Sequence, residues 1–178
     1  EDVPAIGVRT FWVRPVTTPV EFLALPQHGL LSIENEYFHV ALDRPEATLV
    51  LTDKRNQVVY SGLNAFLDHG DRGDEYNFTP PEHDKTYAPK VIKVTSKAEG
   101  PVSTLVVDYE MELPASLAED RAYRAKNLVN CSLRSTLTLV KGVPRLDIRT
   151  EFDNQAADHR LEVHFPTGIL TDHTRMDG

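Results

Sequence analysis

The chain has 178 residues, with 19 Lys and Arg against 27 Asp and Glu, for a formal charge of −8 at pH 7. At 40% hydrophobic and 26% charged residues, it has the composition of a folded globular domain rather than of a disordered chain. The acidic balance excludes a broad phosphate-binding or anionic-membrane surface, so neither nucleic acid nor membrane is expected as a partner.

Cys131 is the only cysteine. An internal disulfide, a thiolate zinc site and a Cys-x-x-Cys redox pair are thereby excluded. No apolar run approaches the ~20 residues needed to cross a bilayer. Glu1-Asp2-Val3-Pro4 has neither the basic start nor the apolar stretch of a signal peptide. With no initial Met and an end at Met176-Asp177-Gly178, the chain is expected to be an excerpt of something longer. A cytoplasmic location is expected, any N-terminal signal being missing.

In chain order, residues 6–13 form the first predicted strand, and residues 14–29 form a loop carrying Pro15, Pro19 and Pro26. His39-Val40-Ala41-Leu42 predicts a further strand. Residues 48–52 and 57–60 predict a pair of strands around the polar reversal Asp53-Lys54-Arg55-Asn56. Residues 90–99 and 102–113 flank Gly100-Pro101, a hairpin signal. Residues 114–126 are compatible with a short helix or with an irregular loop.

From Leu128 to Leu139 polar and apolar residues alternate, with Val129, Cys131, Leu133, Leu137 and Leu139 on one face. Lys141-Gly142-Val143-Pro144 turns that strand into residues 145–152, where Leu146, Ile148 and Phe152 share a side. Residues 160–165 close the pattern. The expected fold is all-β, an antiparallel β-sandwich.

The unusual stretch is Asp68-His69-Gly70-Asp71-Arg72-Gly73-Asp74-Glu75-Tyr76-Asn77-Phe78-Thr79-Pro80-Pro81. Its glycines permit sharp turns and its prolines fix the exit direction. Carboxylates that accept from hydroxyls, beside the flat face of Tyr76, would suit a sugar. A solvated loop between strands is the plainer alternative, and is favoured on the residues alone.

Asp68, Asp71 and Asp74 are three apart, which is not calcium-loop spacing. His159 and His164 fall on opposite faces of a strand, and the histidines are expected to be surface or capping residues. Nucleophile elbow, phosphate loop and dinucleotide fingerprint are absent.

Four phrases resemble the C-terminal region of glycoside hydrolase family 38, the retaining α-mannosidases. They are Ile33-Glu34-Asn35-Glu36-Tyr37-Phe38-His39-Val40, Leu49-Val50-Leu51-Thr52-Asp53-Lys54-Arg55, Gly73-Asp74-Glu75-Tyr76-Asn77-Phe78-Thr79-Pro80-Pro81, and Phe152-Asp153-Asn154 with Asp158-His159-Arg160-Leu161 and Phe165-Pro166-Thr167-Gly168. Phe78, Thr79 and Glu162 depart from the family's usual residues.

The resemblance implies part of a galactose-mutarotase-like supersandwich. Residues 1–28 would be the terminal strand of a preceding small β domain plus a linker. Residues 29–178 would be the N-terminal part of the large sandwich domain. It implies a zinc-dependent parent glycosidase whose zinc and nucleophile lie in an N-terminal catalytic domain, with an α-mannoside as substrate.

No catalytic residue, metal ligand or cofactor is assigned to this chain. Asp71, Asp74 and His83 receive no such role. Tyr76 and Asn77 are the expected substrate contacts, and Asp74 the residue positioning their loop. Whether the chain counts as an enzyme stays open, since alone it is expected to be inactive. The alternatives are a stand-alone carbohydrate-binding or structural β module, or part of a mannosylglycerate-type hydrolase.

Overall fold

The computed structural model describes residues 31–74 and 76–169. The expected strand over 6–13, the proline-bearing loop and the domain division at residue 28 lie outside these residues. The described strands are β1 (Ser32–Glu34), β2 (Phe38–Asp43), β3 (Thr48–Asp53), β4 (Val58–Leu63) and β5 (Ala65–Gly70). They continue with β6 (Lys90–Glu99), β7 (Val102–Pro114), β8 (Leu128–Val140), β9 (Leu146–Asp153) and β10 (His159–His164).

Strands β1 to β4 form one four-stranded sheet in sequence order, and β6 to β9 form another. Strand β5 pairs with β10 as a two-stranded sheet. Every pairing is antiparallel. The protein is an all-β antiparallel sandwich, and the described residues contain no helix.

Period-two alternation explains the packing. In β7, Leu105, Val107, Tyr109, Met111 and Leu113 are buried, while Asp108 and Glu110 point away. In register with them, β8 buries Leu137, Ser135, Leu133 and Cys131. From the opposite sheet Ile33, Phe38, Val40, Leu42 and Leu49 close the same core. Each such side chain, fully buried, contributes about 1.5–3 kcal/mol. Burial pushes the phenol of Tyr109 up to about 12, so the ring stays neutral inside the core.

The expected reversals stand at residues 53–56, 100–101 and 141–144. Gly142 has φ +78, a conformation that glycine adopts without steric cost. Of residues 114–126, Pro114 ends β7 and the rest take the loop alternative. Their backbone groups bond across the segment, Ala115 N–H to Asn127 O at 3.0 Å and Ala118 N–H to Tyr123 O at 2.9 Å. Those partners are not the i−4 carbonyls of a helix.

Two of the quoted phrases meet at one end of the sandwich. Asn35, 2% exposed, donates its amide to Val140 O at 3.0 Å and Val143 O at 3.1 Å, both in the β8–β9 turn region. Its Oδ1 accepts from the N–H groups of Tyr37 at 2.9 Å and Phe38 at 2.8 Å. Lys54 crosses from the β3–β4 reversal to Glu34 Oε2 at 2.8 Å and Asn35 O at 2.7 Å. Beside it, Arg55 grips Asp53 with two side-chain hydrogen bonds of 2.9 and 2.7 Å. That grip holds the Asp53 carboxyl below its ordinary value.

Candidate functional site

The other two phrases meet around β5. Its buried face carries Phe66, Asp68 and Gly70. Asp68 N–H donates to Tyr87 O at 2.8 Å, and Tyr87 N–H returns to Asp68 O at 3.0 Å. The acidic stretch is thus a loop that leaves β5 and is tied back to it at Asp68. Asp68 itself is no solvated loop residue, being 0% exposed.

Within the loop two carboxylates organise the backbone. Asp71 Oδ1 accepts from Gly73 N–H at 2.8 Å and from Thr79 N–H at 3.0 Å, joining the outgoing and returning limbs. Arg72 N–H donates to Thr79 O at 2.8 Å alongside. Asp74 Oδ1 accepts from the N–H groups of Tyr76 and Asn77, both at 2.9 Å. These two backbone bonds hold the Asp74 carboxyl below its ordinary value. A Cβ on Gly73 would sit 1.7 Å from Asn77 O, so only glycine fits this fold of the loop.

Tyr76, Asn77 and Asp74 are therefore brought together at the loop tip. Tyr76 is 85% exposed, on a backbone whose N–H is bonded to Asp74. The returning limb is anchored below. Arg160 lies 4.5 Å from the Phe78 ring centroid, a cation–π contact. Pro81 is buried, and its ring atoms leave no room for a side chain at Gly70.

Asp68 is the residue that sequence patterning missed. Arg124 Nη1 lies 2.7 Å from its Oδ1, and His159 Nδ1 lies 2.5 Å from its Oδ2. The side chains of Arg124 and His159 are only 5% and 6% exposed. His159 is accordingly no surface residue, which corrects the expectation for it. The Phe66–Asp68–Gly70 alternation was the available signal, but a carboxylate on an inward face is legible only once a cation is known to meet it.

The described residues contain no group of three or more His, Cys, Asp or Glu side chains that could hold a metal. They do not fit a zinc site. What the arrangement offers is a hydrogen-bonded loop with an exposed phenol and amide, set above the buried Asp68–Arg124 pair. The carboxylate that shapes the tip has already committed one oxygen to the backbone.

An antiparallel sandwich with this loop belongs to a known class. The family description "Glycosyl hydrolases family 38 C-terminal domain" matches residues 33–177, and the chain belongs to that family. It is 28% identical over 152 residues to a protein of Halalkalibacterium halodurans called "Putative mannosylglycerate hydrolase", across 76% of this chain and 17% of that protein. It is similar to the crystal structure of an alpha-mannosidase from Enterococcus faecalis V583, with TM-score 0.77, 26% identity and coverage of 84% of this chain and 19% of the other.

A second Enterococcus faecalis structure, of a protein in glycosyl hydrolase family 38, gives TM-score 0.79 at 26% identity, covering 90% of this chain and 21% of that one. The chain thus spans about a fifth of the length of these relatives.

Proposed function

We propose that this chain is the sandwich part of a larger, retaining, zinc-dependent α-mannosidase-type glycoside hydrolase. In this reading it buttresses the catalytic domain and lines the sugar cleft, while zinc and the reacting carboxyls come from the rest of the enzyme. The observation that carries it is the Tyr76 loop. Exposed rings normally move freely, yet this one stands on a backbone held by Asp71, Asp74 and the Gly73–Asn77 contact.

The ring would supply an apolar face and a hydroxyl to a sugar, and Asn77 an amide. A retaining glycosidase needs two carboxyl groups across one bond, and the Asp71 and Asp74 carboxylates are occupied with shaping the loop. The chain by itself is therefore expected to show no turnover of an aryl α-mannoside, with or without added zinc. Turnover that follows the purified chain through successive columns would overturn this.

In the larger enzyme, Tyr76→Phe is expected to lower kcat/KM by about 2- to 13-fold, the worth of one neutral hydrogen bond. Unchanged kinetics with a lowered Tm would make the phenol a packing group and remove it from the cleft.

The Halalkalibacterium halodurans relative favours a second reading, a hydrolase of an α-mannosyl group on a small carboxylate such as glycerate. Comparing kcat/KM of the larger enzyme for mannosylglycerate and for an aryl α-mannoside decides between the two.

A further inference from the structure

The run Asp158-His159-Arg160 lies where the loop root, the 115–126 segment and β10 converge. Asp158, with φ 53, accepts from Asp71 N–H at 2.9 Å through its carbonyl and from Leu117 N–H at 3.4 Å through Oδ2. Arg160 lies over Phe78. Between them the His159 ring turns inward, with Nδ1 2.5 Å from Asp68 Oδ2 and Nε2 3.0 Å from Asn154 Oδ1.

The donors can be counted. Asn154 Oδ1 also accepts from Ala156 N–H at 3.0 Å, so the atom facing Nε2 is the oxygen and Nε2 must donate. On the other side, the Arg124 guanidinium, which can only donate, stands 2.7 Å from Asp68 Oδ1. An ionised carboxylate only accepts, so Nδ1 donates as well. A ring that donates from both nitrogens is an imidazolium.

We propose that His159 is a doubly protonated positioning residue whose charged ring, locked between Asp68 and Asn154, holds the root of the Tyr76 loop against β5. The geometry supplies the link. His159 is the register partner of Gly70, next to Asp71, and Asp71 is the residue that joins both limbs of the loop. A neutral ring could satisfy only one of its two acceptors and would set its lone pair against the other.

The first test is the long-range 1H–15N spectrum of the His159 ring in the full chain at neutral pH. Both nitrogens are expected to carry protons, and a neutral tautomer overturns the proposal. The second is His159→Gln. Its amide carries both donors on one nitrogen and cannot meet acceptors that face the two ring nitrogens, so the amides of Asp71, Gly73 and Thr79 are expected to exchange roughly 10- to 150-fold faster, the worth of one hydrogen bond to a charged group.

Amides of β7 and β8 should stay protected in that variant. A folded variant with unchanged loop exchange overturns the proposal, and if the variant does not fold the ring spectrum decides. A consequence for catalysis rests on the proposed function: in the larger enzyme His159→Gln should lower kcat/KM. Unchanged kcat/KM alongside a charged ring and a loosened loop would leave the clamp standing and sink the cleft-lining role instead.

Discussion

Replacing Asp68 with alanine is expected to cost the domain roughly 3–5 kcal/mol, against a whole-domain stability of about 5–15 kcal/mol. The carboxylate is 0% exposed and lies between the Arg124 guanidinium and the His159 ring, both nearly sealed from water. Removing it leaves the buried Arg124 without its counter-charge and the His159 Nδ1 without its partner. Breaking a buried pair at one partner is the expensive case, since the remaining charge keeps its desolvation penalty.

Asp68 also closes the loop through its backbone, but those two bonds survive the substitution. The loss therefore measures the side chain. Urea unfolding with an unchanged m-value reads it directly. A loss below about 1 kcal/mol, the range of an exposed ion pair, would show that water screens the cluster.

Asn35→Ala is expected to cost roughly 2–4 kcal/mol, the summed worth of several hydrogen bonds at about 1 kcal/mol each. This one side chain satisfies two carbonyls near the β8–β9 turn and two N–H groups between β1 and β2, so it ties the two large sheets together at their ends. Aspartate in its place would keep the acceptor and lose both donors. The neighbouring Lys54–Glu34 pair, at 32% and 16% side-chain exposure, is wetter and contributes at most about 1 kcal/mol. Thermal melts of Asn35→Ala and Asn35→Asp rank the donors against the acceptor, and a Tm unchanged in both would remove Asn35 from the sheet junction.

The four quoted phrases meet in pairs in the folded chain. Ile33–Val40 and Leu49–Arg55 are distinct in sequence yet form one junction through Asn35, Lys54 and Glu34. Gly73–Pro81 and Asp158–Leu161 likewise form one structure through the Arg160–Phe78 contact, beside the bond from Asp71 at the loop root to Asp158.

What the sequence determined by itself is the local part of the fold. Alternation along β7 and β8 is visible because each residue's face follows from its position alone, with period two. The hairpins at 53–56, 100–101 and 141–144 are visible because the paired strands are neighbours in the chain and the reversal lies between them. Asp74 and Gly73 were singled out from a loop's composition, but not the bonds they make.

Tertiary structure alone decided the rest. The β5–β10 pairing joins Ala65 to His164 and Gly70 to His159, partners with no sequence signal binding them. Residues 114–126 have helix-compatible composition, but their hydrogen bonds cross the segment, and Ala115 O accepts from Ala157 N–H at 2.9 Å. Asp68 reads as one more acid in an acidic loop until Arg124 and His159 reach it from distant segments. The physical reason is common to all three. Side-chain periodicity is a property of the backbone near each residue, whereas burial of a charge depends on partners that only the folded chain brings within a hydrogen bond's reach.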